Sequence, residues 1–189
     1  MGNPITEWPT APMAILITGA CAAGKSTVAE LLTERFERAV HVRGDGFRRM
    51  IVRGRVDAGY CDRAEAERQR ALRHRLMVET VDAFVEAGFV AVAQDVMLGA
   101  ELQAVLDRVQ TRPLYLVVLA PPVEVLHARE AIREKEAYDE VITPELLDRA
   151  LREETARLGL WLDTSGHTPA QTADEILARL DEGLILPAG

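Results

Sequence analysis

The chain has 189 residues, 48% of them hydrophobic and 28% charged, with 30 Asp+Glu against 22 Lys+Arg and a formal net charge of -8. That length suits one domain with a full-sized core, and the acidic balance argues against a general affinity for nucleic acid or an anionic membrane, both of which select basic surfaces. Two cysteines, Cys21 and Cys61, are too few for a disulfide framework and make a reducing, cytoplasmic setting the default, and no apolar run approaches the roughly 20 residues that span a bilayer.

Residues 1–12 read as a loose leader without the basic start and apolar centre of a secretory signal. Met13 to Thr18 is a short apolar run ending in glycine, as a buried strand would. Ser26 to Arg38 has helical spacing through Val28, Leu31, Leu32 and Phe36. Ala39 to Arg43 is a second strand, Phe47 to Val56 a weak helix, and Arg63 to Ala87 a long helix with apolar Leu72, Leu76, Val81, Phe84 and Val85. Phe89 to Ala93 is strand-like, Gly99 to Val109 helical, and Leu114 to Leu119 the clearest strand. A helix is expected from Val123 to about Ala137. Thr143-Pro144 and Thr168-Pro169 each read as an N-cap with proline in the first turn, the second completed by Gln171 as a capping-box partner. Leu160 to Leu162 is a fifth strand, and 184–189 a tail. Strands alternating with helices imply an α/β domain over 13–183, with a parallel sheet of about five strands covered on both faces.

The strongest motif is Gly19-Ala20-Cys21-Ala22-Ala23-Gly24-Lys25-Ser26. It fits GxxxxGK(S/T), follows the first strand and opens the first helix. Its glycines let the loop curl so that backbone N–H groups point at phosphate oxygens, and the helix N-terminus adds partial positive charge. Lys25 would reach the β and γ phosphates, and the Ser26 hydroxyl would ligate Mg²⁺. Only Lys25 and Lys135 are lysines, so a chance match is remote. The guanine-reading NKxD sequence is absent, Asn3 being the sole asparagine, and ATP is the expected nucleotide.

On this loop and on element order from Met13 onward, the chain resembles the small P-loop kinases, a group that includes chloramphenicol phosphotransferase, shikimate and gluconate kinases and the zeta-toxin kinases. The resemblance implies a P-loop NTPase fold with a helical lid over about 124–143. It also implies nucleotide binding by Gly19, Ala22, Ala23, Gly24, Lys25, Ser26 and Thr27, and transfer of the γ-phosphate of MgATP to a hydroxyl of a small molecule.

Further candidates follow the strands, because ligands of a doubly wound sheet sit at the carboxyl ends. Asp45, after the second strand, can accept the proton of an attacking hydroxyl, and the resemblance assigns it that role. The alternative is a solvated Asp-Gly turn. Arg48 would bind substrate or phosphate. Asp95 stands where a Walker-B-like acid would hold the Mg²⁺ shell, or where a helix N-cap would fall. Gln94 can line the same cleft. Arg129 and Arg133 are four apart and share a helix face. The resemblance places them in the lid, with Lys135 and Tyr138 nearby, and an ordinary charged helix is the alternative. The loop Asp163 to Gly166 is either the adenine-side loop or a polar turn.

The acceptor side holds Arg48, Arg49, Arg53, Arg55, Arg63, Arg68, Arg70, Arg73 and Arg75. These either bind an anionic acceptor or balance Asp57, Asp62, Glu65 and Glu67, while Tyr60 and Met50 offer an apolar lining instead. The acceptor is therefore open: an antibiotic or natural product, or a nucleotide, sugar or cell-wall precursor. A non-catalytic ATP-binding switch is the reading from another class. The scattered histidines show no metal-ligand spacing, and oligomeric state is not readable from the pattern.

Overall fold

A computed structural model of the chain describes residues 11–57, 62–132 and 142–186. Residues 1–10 of the expected leader, together with Tyr60, Cys61, Arg133, Lys135 and Tyr138, lie outside the described residues. Five strands, β1 (Met13–Gly19), β2 (Ala39–Arg43), β3 (Val90–Gln94), β4 (Leu114–Leu119) and β5 (Leu160–Leu162), form a parallel sheet in the order β2-β3-β1-β4-β5. A sixth, β6 (Leu184–Leu186), pairs antiparallel with β4 where a tail was expected. Its three apolar residues after Gly183 are too short a run to stand out as a strand in the sequence.

The sheet buries both faces, which is why its strands read as continuous apolar runs. Along β1, Met13, Ile15 and Ile17 enter one core cluster while Ala14 and Leu16 enter the other. β4 alternates likewise, with Val117 and Leu119 opposite Leu116 and Val118. The helices α1 (Lys25–Thr33), α2 (Gly44–Met50), α3 (Arg63–Glu86), α4 (Ala100–Leu106), α5 (Val123–Ala131), α6 (Pro144–Arg149) and α7 (Pro169–Ala178) make the connections. Among the described residues, no helix is long and apolar enough to cross a membrane.

Several boundaries differ from the sequence pattern for local reasons. α1 stops at Thr33, because the N–H groups of Arg35 and Phe36 turn to the carbonyls of Leu32 and Thr33 and tighten the last turn. Phe36 is then carried into the core. α2 begins at Gly44, directly on the end of β2, rather than at Phe47. The buried stripe of α3 is His74, Met77, Val78 and Val81, whereas Leu72 and Phe84 are among the exposed apolar residues. α6 runs into one π-turn over Ala150–Glu154. Thr155 closes that turn by donating to the Ala150 carbonyl, and its hydroxyl accepts from Gly99 N–H. Both expected proline caps are present. Thr143 accepts from Leu146 N–H, and Thr168 and Gln171 form a full capping box.

Candidate active site

The loop Gly19–Lys25 turns sharply off the carboxyl end of the central strand. Gly19 has φ 146°, and a Cβ there would overlap the Leu119 carbonyl of the neighbouring strand, so only glycine lets the loop leave the sheet here. Ala22 and Gly24 both have positive φ, 59° and 97°. Gly24 is the N-cap of α1 and supplies no side-chain cap. Among the described residues, the N–H groups of Ala22 and Gly24 have no hydrogen-bond partner. Lys25 is buried, its Nζ donating to the carbonyls of Gly19 (2.9 Å) and Ala20 (2.7 Å), so the ammonium sits inside the curl of the loop. Ser26 and Thr27 are exposed on the first turn.

Arg129, near the end of α5, reaches back to this loop. One Nη donates to the Ala23 carbonyl and to Thr164 Oγ1, both at 3.1 Å, and the other to the Thr164 carbonyl at 2.7 Å. Burial lowers its pKa, with Asp163 opposing, yet an arginine remains charged throughout the working range. The guanidinium therefore ties the phosphate loop to the loop after β5. Its neighbour His127 turns the other way and lies 2.6 Å from Glu145 of α6.

The second group of candidates gathers at the ends of β2 and β3. Asp45 Oδ1 accepts from Arg48 Nε at 2.9 Å and Oδ2 from Arg49 Nε at 2.7 Å. Partial burial opposes its ionisation, but the hydrogen bonds and charges of Arg48 and Arg49 outweigh it and hold its pKa below the ordinary aspartate value. Arg48 is shared with Asp57.

Asp95 is buried, and the Gly44 backbone lies so close that a Cβ on Gly44 would overlap its carboxylate. Its Oδ1 accepts from Val96 N–H, while Oδ2 stands 2.9 Å from Arg73 Nε and 3.6 Å from His74 Nε2. The Arg73 and His74 contacts are ion-pair distances without hydrogen-bond geometry, since none of these three facing atoms has a hydrogen-bond partner. Thr18 Oγ1 donates to the Met97 carbonyl at 2.7 Å and accepts from Met97 N–H at 3.0 Å, clamping the end of β1 to the turn after β3.

The acceptor-side arginines are mostly matched by acids. Among the described residues, every one from Arg48 to Arg75 except Arg53 lies within ion-pair distance of a carboxylate. The pairs of Arg63 with Glu67 and Arg68 with Glu65 are solvated and contribute little. The sequence names Arg73 only within the run of acceptor-side arginines and Thr164 only within the loop Asp163 to Gly166, and it gives His74 no role. His74 alone had a signal, since it falls on the buried helical stripe with Met77, Val78 and Val81.

These residues can hold a polyphosphate: uncapped N–H groups, a buried ammonium and a glycine cradle converge on one loop. For Mg²⁺ the exposed Ser26 hydroxyl fits, with phosphate oxygens and water completing the shell as is usual for this cation. Asp95 is less suited, its charge being engaged by Arg73. Fold and loop together define a P-loop nucleotide-binding protein.

The family model described as an AAA domain matches residues 15–157, and the chain belongs to that family. A comparison with curated proteins found no match. Among solved structures, a gluconokinase from Sinorhizobium meliloti 1021 superposes with a TM-score of 0.66 at 18% identity, covering 92% of this chain and 94% of that one. The tunicamycin resistance protein of Deinococcus radiodurans gives 0.64 at 20% identity over 95% and 99%. The Mycobacterium tuberculosis APS kinase, in complex with AMPPNP and APS, gives 0.64 at 16% over 92% and 99%. At these identities the likeness is one of fold, and the fold is that of the small P-loop kinases.

Proposed function

We propose that the protein is an ATP- and Mg²⁺-dependent phosphotransferase that moves a γ-phosphate to a hydroxyl of a small molecule. The observation that carries this reading is the position of Asp45, on the first turn after β2 and on the same carboxyl-end rim as the phosphate loop. A nucleotide switch has no need of a carboxylate there. Solved neighbours of the same fold that act on small molecules, one of them holding AMPPNP and APS, support it.

In this reading the loop N–H groups from Gly19 to Thr27 and the Lys25 ammonium bind the phosphate oxygens, and Ser26 is the protein's ligand to the metal. Bound MgATP supplies the phosphoryl group and offsets its charge. Asp45 accepts a hydrogen bond from the acceptor hydroxyl and aims it in line. Because its pKa is depressed, it orients more than it deprotonates, which suits a loose transition state that asks mainly for positioning. Arg48, anchored by Asp45 and Asp57, faces the acceptor. Arg129 braces the phosphate loop against Thr164 beside the adenine, and residues 124–143, Arg133 among them, form the lid that excludes water. Asp95 steadies the Asp45 turn.

The test is a screen for acceptor-dependent consumption of MgATP over hydroxyl-bearing metabolites and antibiotics, with background hydrolysis subtracted. Asp45→Asn should lower acceptor-dependent turnover by about 10²–10⁴ while MgATP still binds. Full transfer activity in that variant would refute the role of Asp45, and a screen in which no acceptor exceeds background would favour a switch.

A further inference from the structure

His74 is a polar residue on an otherwise apolar stripe. The buried side of α3 is His74, Met77, Val78 and Val81, spaced three and four apart, and a leucine or methionine at position 74 would simply continue it. Instead an imidazole is buried there, with Nε2 shut off from solvent and without a hydrogen-bond partner among the described residues. An unmet buried polar atom lowers stability, and one kept in a native fold asks for a reason.

The reason lies in what Nε2 faces. Asp95 Oδ2, 3.6 Å away, is buried and unmet as well. The other carboxylate oxygen, Oδ1, is already engaged by Val96 N–H. Oδ2 is wedged between two helices. On one side stand Arg73 and His74 of α3; on the other is Gly44, the first residue of α2, where a Cβ would overlap it. The next residue along α2 is Asp45. Arg73 brings a full positive charge to 2.9 Å from the same oxygen, which leaves no place for a metal ion between them. What His74 can offer Oδ2 is an N–H. A carboxylate oxygen accepts two donors, and two donors fix its direction where one leaves it free to swing. A shift of about 0.7 Å closes the gap to an ordinary N–H···O distance, and hydrogen bonds of active sites commonly tighten in this way once substrates are bound.

We infer that His74 is a positioning residue for phosphoryl transfer: in the reacting complex its Nε2–H is donated to Asp95 Oδ2, and through Asp95 and Gly44 it fixes the turn that aims Asp45. The inference rests on the phosphotransferase reading above. His74 itself touches no substrate. Its unmet nitrogen is the part of the site for which a more stable apolar residue was available.

The test is a set of substitutions read for turnover, MgATP affinity and stability. The rate read is the Asp45-dependent turnover of MgATP, with water as acceptor or with the best hydroxyl compound of the screen above, whichever is faster. His74→Leu deletes the donor and completes the apolar stripe. It should keep or raise the urea midpoint and bind MgATP as the wild type does, while kcat falls by about tenfold or more. His74→Phe keeps a flat ring without the donor and takes its place if leucine does not pack. His74→Gln returns an N–H near the position of Nε2 and should recover most of the rate. Because His74 acts through Asp95, His74→Leu should add no further loss in an Asp95→Asn background. Unchanged kcat in a folded His74→Leu or His74→Phe, unfolding of both, a glutamine variant no faster than leucine, or losses that multiply in the double variant would each overturn the inference and leave the phosphotransferase reading in place. A wild type with no Asp45-dependent turnover on either acceptor would remove that reading and the inference with it.

Discussion

In the proposed reading, recognition at the phosphate loop is a property of the backbone. Gly19 leaves the strand where no Cβ fits, Gly24 heads α1 without a cap, and N–H groups and one buried lysine do the rest. Across the cleft, on α2 and α3, the surface is made of side chains: Asp45 between Arg48 and Arg49, and Asp95 between Arg73 and the Gly44 backbone. The difference teaches how one fold serves many acceptors. A backbone cradle is indifferent to most of its side chains, whereas a network of ion pairs can be rewritten residue by residue without disturbing the nucleotide half.

Four substitutions sharpen that contrast, from the largest expected effect to the smallest. Lys25→Ala removes the ammonium that the proposed function assigns to the phosphates and should lower phosphoryl transfer by about 10²–10³, measured as initial rate at saturating MgATP. Gly44→Ala places a methyl group against the buried Asp95 carboxylate. The Asp45 turn must then shift, and a displacement of that kind should cost about 10² in transfer, while MgATP affinity measured by calorimetry stays near wild type. Unchanged transfer in Gly44→Ala would separate Asp95 from Asp45.

The third concerns pH. The pKa of His41 on β2 is lowered from 6.5 to about 4, by burial first and then by Arg43, with Glu30 opposing. The unfolded chain therefore binds more protons between those values, so the stabilisation is complete above pH 6.5 and is lost as the pH falls towards 4. With His41 only half-buried, solvent screening reduces the effect to about 1 kcal/mol. His41→Leu should lose less stability than wild type between pH 7 and 4.5, as read by urea unfolding. Last, Thr168→Ala removes half of the α7 capping box and should cost about 1 kcal/mol of stability, with no effect on transfer.

How much could be read from the sequence follows the range of the interactions. β2, β4 and β5 fall where their apolar runs end, and the phosphate loop and the Thr168 cap are complete within a few consecutive residues. The Arg73–Asp95 pair joins a helix to a strand end far away in the chain, and nothing in either segment announces the other. Arg73 was marked only as one of many acceptor-side arginines, most of which neutralise neighbouring acids. The buried face of α3 was misplaced for a related reason. Leu72 and Phe84 are apolar but lie off the stripe, and His74 is polar but lies on it. Packing against β1 and β3 decided that face, not hydropathy alone.

The order of the strands has a last consequence. β1, which carries the phosphate loop, has hydrogen-bonded neighbours on both sides, whereas β2, which carries Asp45, is the outer strand of the sheet. Local opening starts where a strand is paired on one side only. Amides of β1 and β4 would thus outlast those of β2 in hydrogen exchange, and the phosphate-gripping half would persist through fluctuations that dissolve the acceptor half.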